Sequence, residues 1–86
     1  MAKYKIEISR TAERQLKKLS KDDQERVVAA ILALAKDPLP KGSRKLAGYE
    51  DVYRIRVAHF RILYSRGART LIVIVLKIGH RKDVYR

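Results

Sequence analysis

The sequence predicts an α+β domain: an N-terminal strand, a two-helix hairpin, then an antiparallel β-meander packed on the helices. Three observations carry this prediction. Apolar residues recur at helical spacing over residues 10–35, and the period changes from 3.6 to 2 after the loop Leu39-Pro40-Lys41-Gly42-Ser43. The strand-like runs beyond that loop are separated only by turn-sized gaps, a length that joins antiparallel neighbours but no parallel pair. With 86 residues in all, one domain over residues 1–86 is expected.

Tyr4-Lys5-Ile6-Glu7-Ile8 alternates in character and reads as a short strand, with Ser9 after it as a helix cap. From Arg10 to Leu19, Ala12, Leu16 and Leu19 form one apolar stripe, while Arg14, Lys17 and Lys18 point elsewhere. Ser20-Lys21 interrupts, and Asp22 with Glu25 has capping-box spacing for a second helix. That helix carries the broad stripe Val27, Val28, Ile31, Leu32, Leu34 and Ala35 before Pro38 and Pro40 end it. Three strands are expected next, at Val52–Ala58, Phe60–Ser65 and Thr70–Gly79, with Arg66-Gly67-Ala68-Arg69 as the last turn.

Charge points to a polyanionic partner: 21 Lys and Arg against 9 Asp and Glu give +12 with histidines neutral. Residues 1–43 hold 10 basic and 6 acidic side chains, a net +4, whereas residues 44–86 hold 11 and 3, a net +8. Eight of those last 11 cations are arginine, whose planar fork grips phosphate where lysine offers a point charge. The absence of cysteine excludes disulfides, zinc ribbons, thiol nucleophiles and iron–sulfur clusters. No glycine-rich phosphate loop, metal-ligand spacing or Ser-His-Asp arrangement is visible. Neither a signal peptide nor an apolar run of about 18 residues is present, so a soluble, intracellular protein with no membrane partner is expected.

Strand alternation sorts the cations by face. Tyr53, Ile55 and Val57 share one side of the first strand of the meander, leaving Arg54 and Arg56 on the other. Phe60, Ile62 and Tyr64 do the same in the next strand and place Arg61 with Leu63 and Ser65. Near the end of the last strand, Leu76 and Ile78 alternate with Lys77 and Gly79. Arg54, Arg56, Arg61, Lys77 and Arg81 are therefore expected on one concave face, with His80 turned away from it and His59 in a turn. Like charges gathered this way repel one another unless a polyanion fills the gap. The bland alternative is a solvated outer face, which Lys, Glu, Thr and Ser would serve as well as arginine.

The closing segment Gly79-His80-Arg81-Lys82-Asp83-Val84-Tyr85-Arg86 completes a pattern along the whole chain. It joins the Lys45-Leu46-Ala47-Gly48 lead-in, Tyr53-Arg54-Ile55-Arg56-Val57 and Phe60-Arg61-Ile62-Leu63-Tyr64. In this order and spacing the sequence resembles the toxins of the RelE/ParE superfamily, specifically its RelE branch of ribosome-dependent messenger RNA endonucleases. The resemblance implies the RelE-like fold and places the catalytic set on Arg54, Arg56, Arg61, Arg81 and Tyr85. The family's strand pair is often lysine and is arginine here, so Arg54 and Arg56 are cast as clamps and charge stabilisers. Lys77, Lys45 and Arg44 are the further RNA-binding candidates, and His80 an accessory residue. The resemblance also implies cleavage without metal or cofactor, in which the substrate's 2′-hydroxyl attacks the adjacent phosphate in the ribosomal decoding site. It implies as partners the ribosome, messenger RNA and an acidic RelB-like antitoxin, in a hetero-oligomer with a toxin that is monomeric alone. Two alternatives stay open: a ParE-like gyrase inhibitor without nuclease chemistry, and an RNA-binding module that does not cleave.

Overall fold

The structure, a computed structural model, describes residues 3–80. Strand β1 (Lys5–Ile8) leads into helices α1 (Arg10–Lys17) and α2 (Lys21–Ala33). Strands β2 (Arg44–Lys45), β3 (Val52–Val57), β4 (Phe60–Gly67) and β5 (Ile72–His80) follow. All five form one sheet in the order β1-β5-β4-β3-β2. The antiparallel meander β3-β4-β5 is as the alternation and short gaps predict. Two pairings lie outside that prediction. β1 runs parallel to β5, with Lys5 opposite Ile72 and Ile8 opposite Val75, because the helices supply the crossover that a parallel pair requires. At the other edge β2 pairs with β3, Arg44 standing opposite Arg54 and Lys45 opposite Tyr53.

The helix boundaries follow from their caps. Ser9 is extended (φ −68°, ψ 160°), and its Oγ accepts from the Ala12 N–H at 3.0 Å. α1 ends two residues short of the expected Leu19, where the Lys18 and Leu19 N–H groups turn back to the Gln15 and Leu16 carbonyls. The cap of α2 is Ser20 rather than Asp22: Ser20 is extended (φ −60°, ψ 160°), and its Oγ accepts from the Asp23 N–H at 3.2 Å. Asp22 and Asp23 instead lie in the first turn, where carboxylates meet the positive end of the helix dipole. Ser9 carries a second bond, its hydroxyl donating to the Leu76 carbonyl of β5 at 2.9 Å. Ser20→Ala should therefore lower unfolding free energy by about 1 kcal/mol and Ser9→Ala by about 2 kcal/mol, measured by urea titration. Equal losses would mean that the Ser9–Leu76 bond contributes nothing.

Both helices cover one sheet face. Ala12, Val27, Ile31 and Leu34 pack on Ile55, Phe60, Ile62, Tyr64, Val73, Val75 and Ile78, with Ile6, Leu16 and Leu19 at the margin. Tyr64 is wholly buried and stacks on Tyr53 with ring centroids 5.9 Å apart. Its hydroxyl donates to the Pro38 carbonyl at 2.7 Å, tying the segment after α2 to the sheet.

β5 is irregular in a way that decides which face its side chains reach. Leu63 pairs with Lys77 but the next residue, Tyr64, pairs with Val75, so Leu76 is an extra residue in the strand. The bulge lets Val73 and Val75 on one side of it, and Ile78 on the other, all enter the core. Unbroken alternation would have sent Lys77 to the core with Val75.

Candidate nucleic-acid interface

The cross-strand register builds the cationic face. Paired residues share a face, so the row Arg44, Arg54, Leu63, Lys77 crosses β2, β3, β4 and β5 on the side away from the helices. Beside it runs a second row, Arg56, Arg61 and Gly79. Arg54, Arg61 and Lys77 are half-buried, Arg44 and Arg56 are exposed, and Leu63 is buried among them. The sheet thus brings together five of the expected residues, Arg44, Arg54, Arg56, Arg61 and Lys77. Lys45 faces the other way, with Tyr53. Arg81 and Tyr85 lie outside the described residues.

Arg56 and Arg61 stand directly opposite each other, and like charges placed this way repel. A chain of phosphates offsets that repulsion. Asp51, next to β3, is not available to neutralise the face, because its carboxylate is 3.7 Å from Arg66 and its carbonyl accepts the Arg66 N–H at 2.8 Å. Arg66 pairs with Val73 on the helix side and lies 5.6 Å from the Tyr53 ring centre, which makes it a structural arginine. The neighbouring row of the cationic side is uncharged, with Val52, Ser65 and Ile74 in register.

Both histidines stand apart from the cations. His80 pairs with Phe60 on the helix side, ring centres 5.0 Å apart, as alternation predicts. His59 lies exposed in the Ala58-His59 turn, entered through Ala58 at φ 54°. Among the described residues no three His, Asp or Glu side chains gather as a metal site.

Three features escape sequence reasoning. A cleft of about 640 Å³ opens between α2, the 40–44 loop and β3, with Ala30, Ala33 and Ile55 in its wall and Lys41 and Arg44 among its cations. No sequence signal places that loop against α2. Ser9 and Gln15 of the α1 region bond to the β5 backbone, Gln15 Oε1 accepting the Ile78 N–H at 2.7 Å. A serine before a helix is legible as a cap, but a glutamine reaching a strand 63 residues later is not.

Comparison with known proteins gives one consistent picture. The sequence model of the family described as "ParE toxin of type II toxin-antitoxin system, parDE" matches residues 6–85. The chain is 32% identical to the toxin RelG of Mycobacterium tuberculosis over 91 residues, covering 96% of this chain and 97% of that protein. Its fold superposes on a chain of the archaeal RelE–RelB complex from Pyrococcus horikoshii OT3 with a TM-score of 0.84 at 26% identity, covering 98% of this chain and 100% of the other. A chain of the toxin–antitoxin complex RelBE2 from Mycobacterium tuberculosis superposes with a TM-score of 0.83 at 27% identity, covering 96% and 97%.

Proposed function

The chain belongs to the RelE/ParE superfamily of type II toxins, and from that premise we propose that it is a ribosome-dependent endoribonuclease that cuts messenger RNA in the decoding site. The observation that carries this reading is the pair of cationic rows, Arg44, Arg54 and Lys77 beside Arg56 and Arg61, on the helix-free face. A gyrase-binding surface needs no such concentration of phosphate-gripping side chains.

Cleavage needs a proton acceptor, a proton donor and positive charge against a dianionic phosphorane. In this proposal the 2′-hydroxyl of the substrate gives its proton to the Tyr85 phenolate and attacks the adjacent phosphorus. The bond from phosphorus to the 5′-oxygen breaks, leaving a cyclic phosphate and a 5′-oxygen that takes its proton from Arg81. Arg56 and Arg61 face the phosphorane, Arg54 clamps the scissile phosphate, and Lys77 and Arg44 hold its neighbours. Lys45, on the other face, is left at most an outer RNA contact, and His80 packs on Phe60. A RelB-like acidic antitoxin is the cognate partner in this reading, since both structural relatives are toxin–antitoxin complexes. Its site of action, the ribosome, puts the protein in the cytoplasm.

The test adds the purified protein to ribosomes paused on a defined messenger and maps new 5′ ends by primer extension. Cuts within the decoding-site codon are expected from the wild type and none from Arg81→Ala. No cuts from a folded wild type would overturn the nuclease reading. The ParE description of the matching family would then make gyrase inhibition the reading to test.

A further inference from the structure

Lys77 belongs to the cationic face only because β5 slips by one residue at Leu76. The backbone around that slip lies at an edge that β1 does not cover: β1 pairs with Ile72 to Val75 and then ends at Ile8. Past this point the outer side of β5 would present bare carbonyl and N–H groups, and a buried backbone group without a partner costs about 1–3 kcal/mol. Two side chains from the α1 region take the place of the missing strand. The Ser9 hydroxyl donates to the Leu76 carbonyl at 2.9 Å, one residue before Lys77, and Gln15 Oε1 accepts the Ile78 N–H at 2.7 Å, one residue after it.

We propose that Gln15 is a positioning residue for the cationic face: by holding the Ile78 N–H it fixes the slip in β5 and so keeps Lys77 beside Leu63 and Arg54. The half-buried amide of Gln15 lies one turn beyond Ala12, the wholly buried residue of α1, so the helix that packs the core also sets its reach. Ser9 brackets Lys77 from the other side, but it also caps α1, so its loss would confound helix stability with strand geometry. Gln15 separates the two. The role in RNA binding rests on the polyanion reading of this face; the geometric role does not.

The experiment uses the full chain in four forms: wild type, Gln15→Met, which keeps the length and removes the acceptor, Gln15→Glu, which keeps an acceptor oxygen, and Lys77→Ala. Gln15→Asn, one methylene too short to reach Ile78, replaces Gln15→Met if that variant does not fold. Nuclear Overhauser contacts between Lys77 and Leu63 should be present in wild type and Gln15→Glu and lost in Gln15→Met. Contacts unchanged in Gln15→Met would overturn the proposal whatever the protein binds.

The second readout is affinity for single-stranded RNA with methylated 2′-hydroxyls, which can bind but not be cut. Lys77→Ala should weaken binding about threefold to tenfold at low salt and reduce the salt slope by about 1. Gln15→Met should produce the same loss, Lys77→Ala should add less than about twofold in that background, and Gln15→Glu should restore wild-type behaviour. A general loss of stability would leave the Lys77 effect intact, so a full Lys77→Ala effect in Gln15→Met also overturns the proposal. Failure of the wild type to bind this RNA would instead overturn the polyanion reading, leaving the Lys77–Leu63 contact to decide the role of Gln15.

Discussion

Arg61→Ala should slow ribosome-dependent cleavage by about 10²–10³-fold, the loss seen when one preorganised stabiliser of transition-state charge is removed. Arg61 occupies the middle of its row, with Arg56 across one strand gap and Gly79 across the other. Gly79 adds no side chain on its side of the row. Arg61 is half-buried, where charge acts through less water than at the exposed Arg56. Arg61→Lys keeps the charge but not the two-pronged donor geometry, and should recover only part of the lost rate. Single-turnover cleavage on paused ribosomes measures the effect, with thermal unfolding as the check on folding. A rate for Arg61→Ala within twofold of wild type would remove Arg61 from the reaction.

Raising the pH from about 10 to about 12 should destabilise the wild type by roughly 2 kcal/mol more than it destabilises Tyr64→Phe, most of the full linkage between the protonated and ionised limits. Burial pushes the Tyr64 hydroxyl from its ordinary value of 10.0 up to about 12, because the phenolate would lose its hydration in the core. The folded-state value lies above the unfolded one, so this contribution is complete below pH 10 and lost as the pH rises through about 12. Two units correspond to about 2.7 kcal/mol, a large fraction of the 5–15 kcal/mol that typically holds a small domain. The hydroxyl also donates to the Pro38 carbonyl at 2.7 Å, a bond that only the protonated form can make. Tyr64→Phe should therefore begin about 1 kcal/mol less stable at neutral pH and then lose less on the alkaline side. Urea titrations of both proteins across this range give the comparison directly. Parallel stability curves would show that Tyr64 ionises without a penalty.

These effects rest on parts of the molecule that differ in how openly the sequence displays them. The face of β3 and β4 is legible by alternation, because Tyr53, Ile55 and Val57 and then Phe60, Ile62 and Tyr64 leave only one side for Arg54, Arg56 and Arg61. The position of Lys77 is legible from Leu76-Lys77-Ile78-Gly79 taken alone, yet Val73 and Val75 in the same strand have the opposite parity. Both patterns are right, and the bulge at Leu76 reconciles them. The start of α2 is a case of competition between two sound signals. Asp22 and Glu25 have capping spacing, but Ser20 can cap from an extended backbone two residues earlier, and the longer helix makes more backbone bonds. The pairing of β1 with β5 and of β2 with β3 depends on contacts between distant segments, which local periodicity does not encode.

The parallel pairing of β1 with β5 has a consequence for the order of synthesis. Lys5 and Ile72 are neighbours in the sheet, and β5 lies between β1 and β4, so the strand that joins the two sides of the sheet is the last of the described elements to be made. While the ribosome is still adding the preceding residues, β1 has no strand to pair with, and Val73, Val75 and Ile78 are missing from the core over which α1 and α2 must close. Contacts of such long sequence separation are slow to form and, once available, form together. A nascent chain of this protein is therefore committed late, and Lys77 joins the arginines of β2, β3 and β4 only after β5 has entered the sheet.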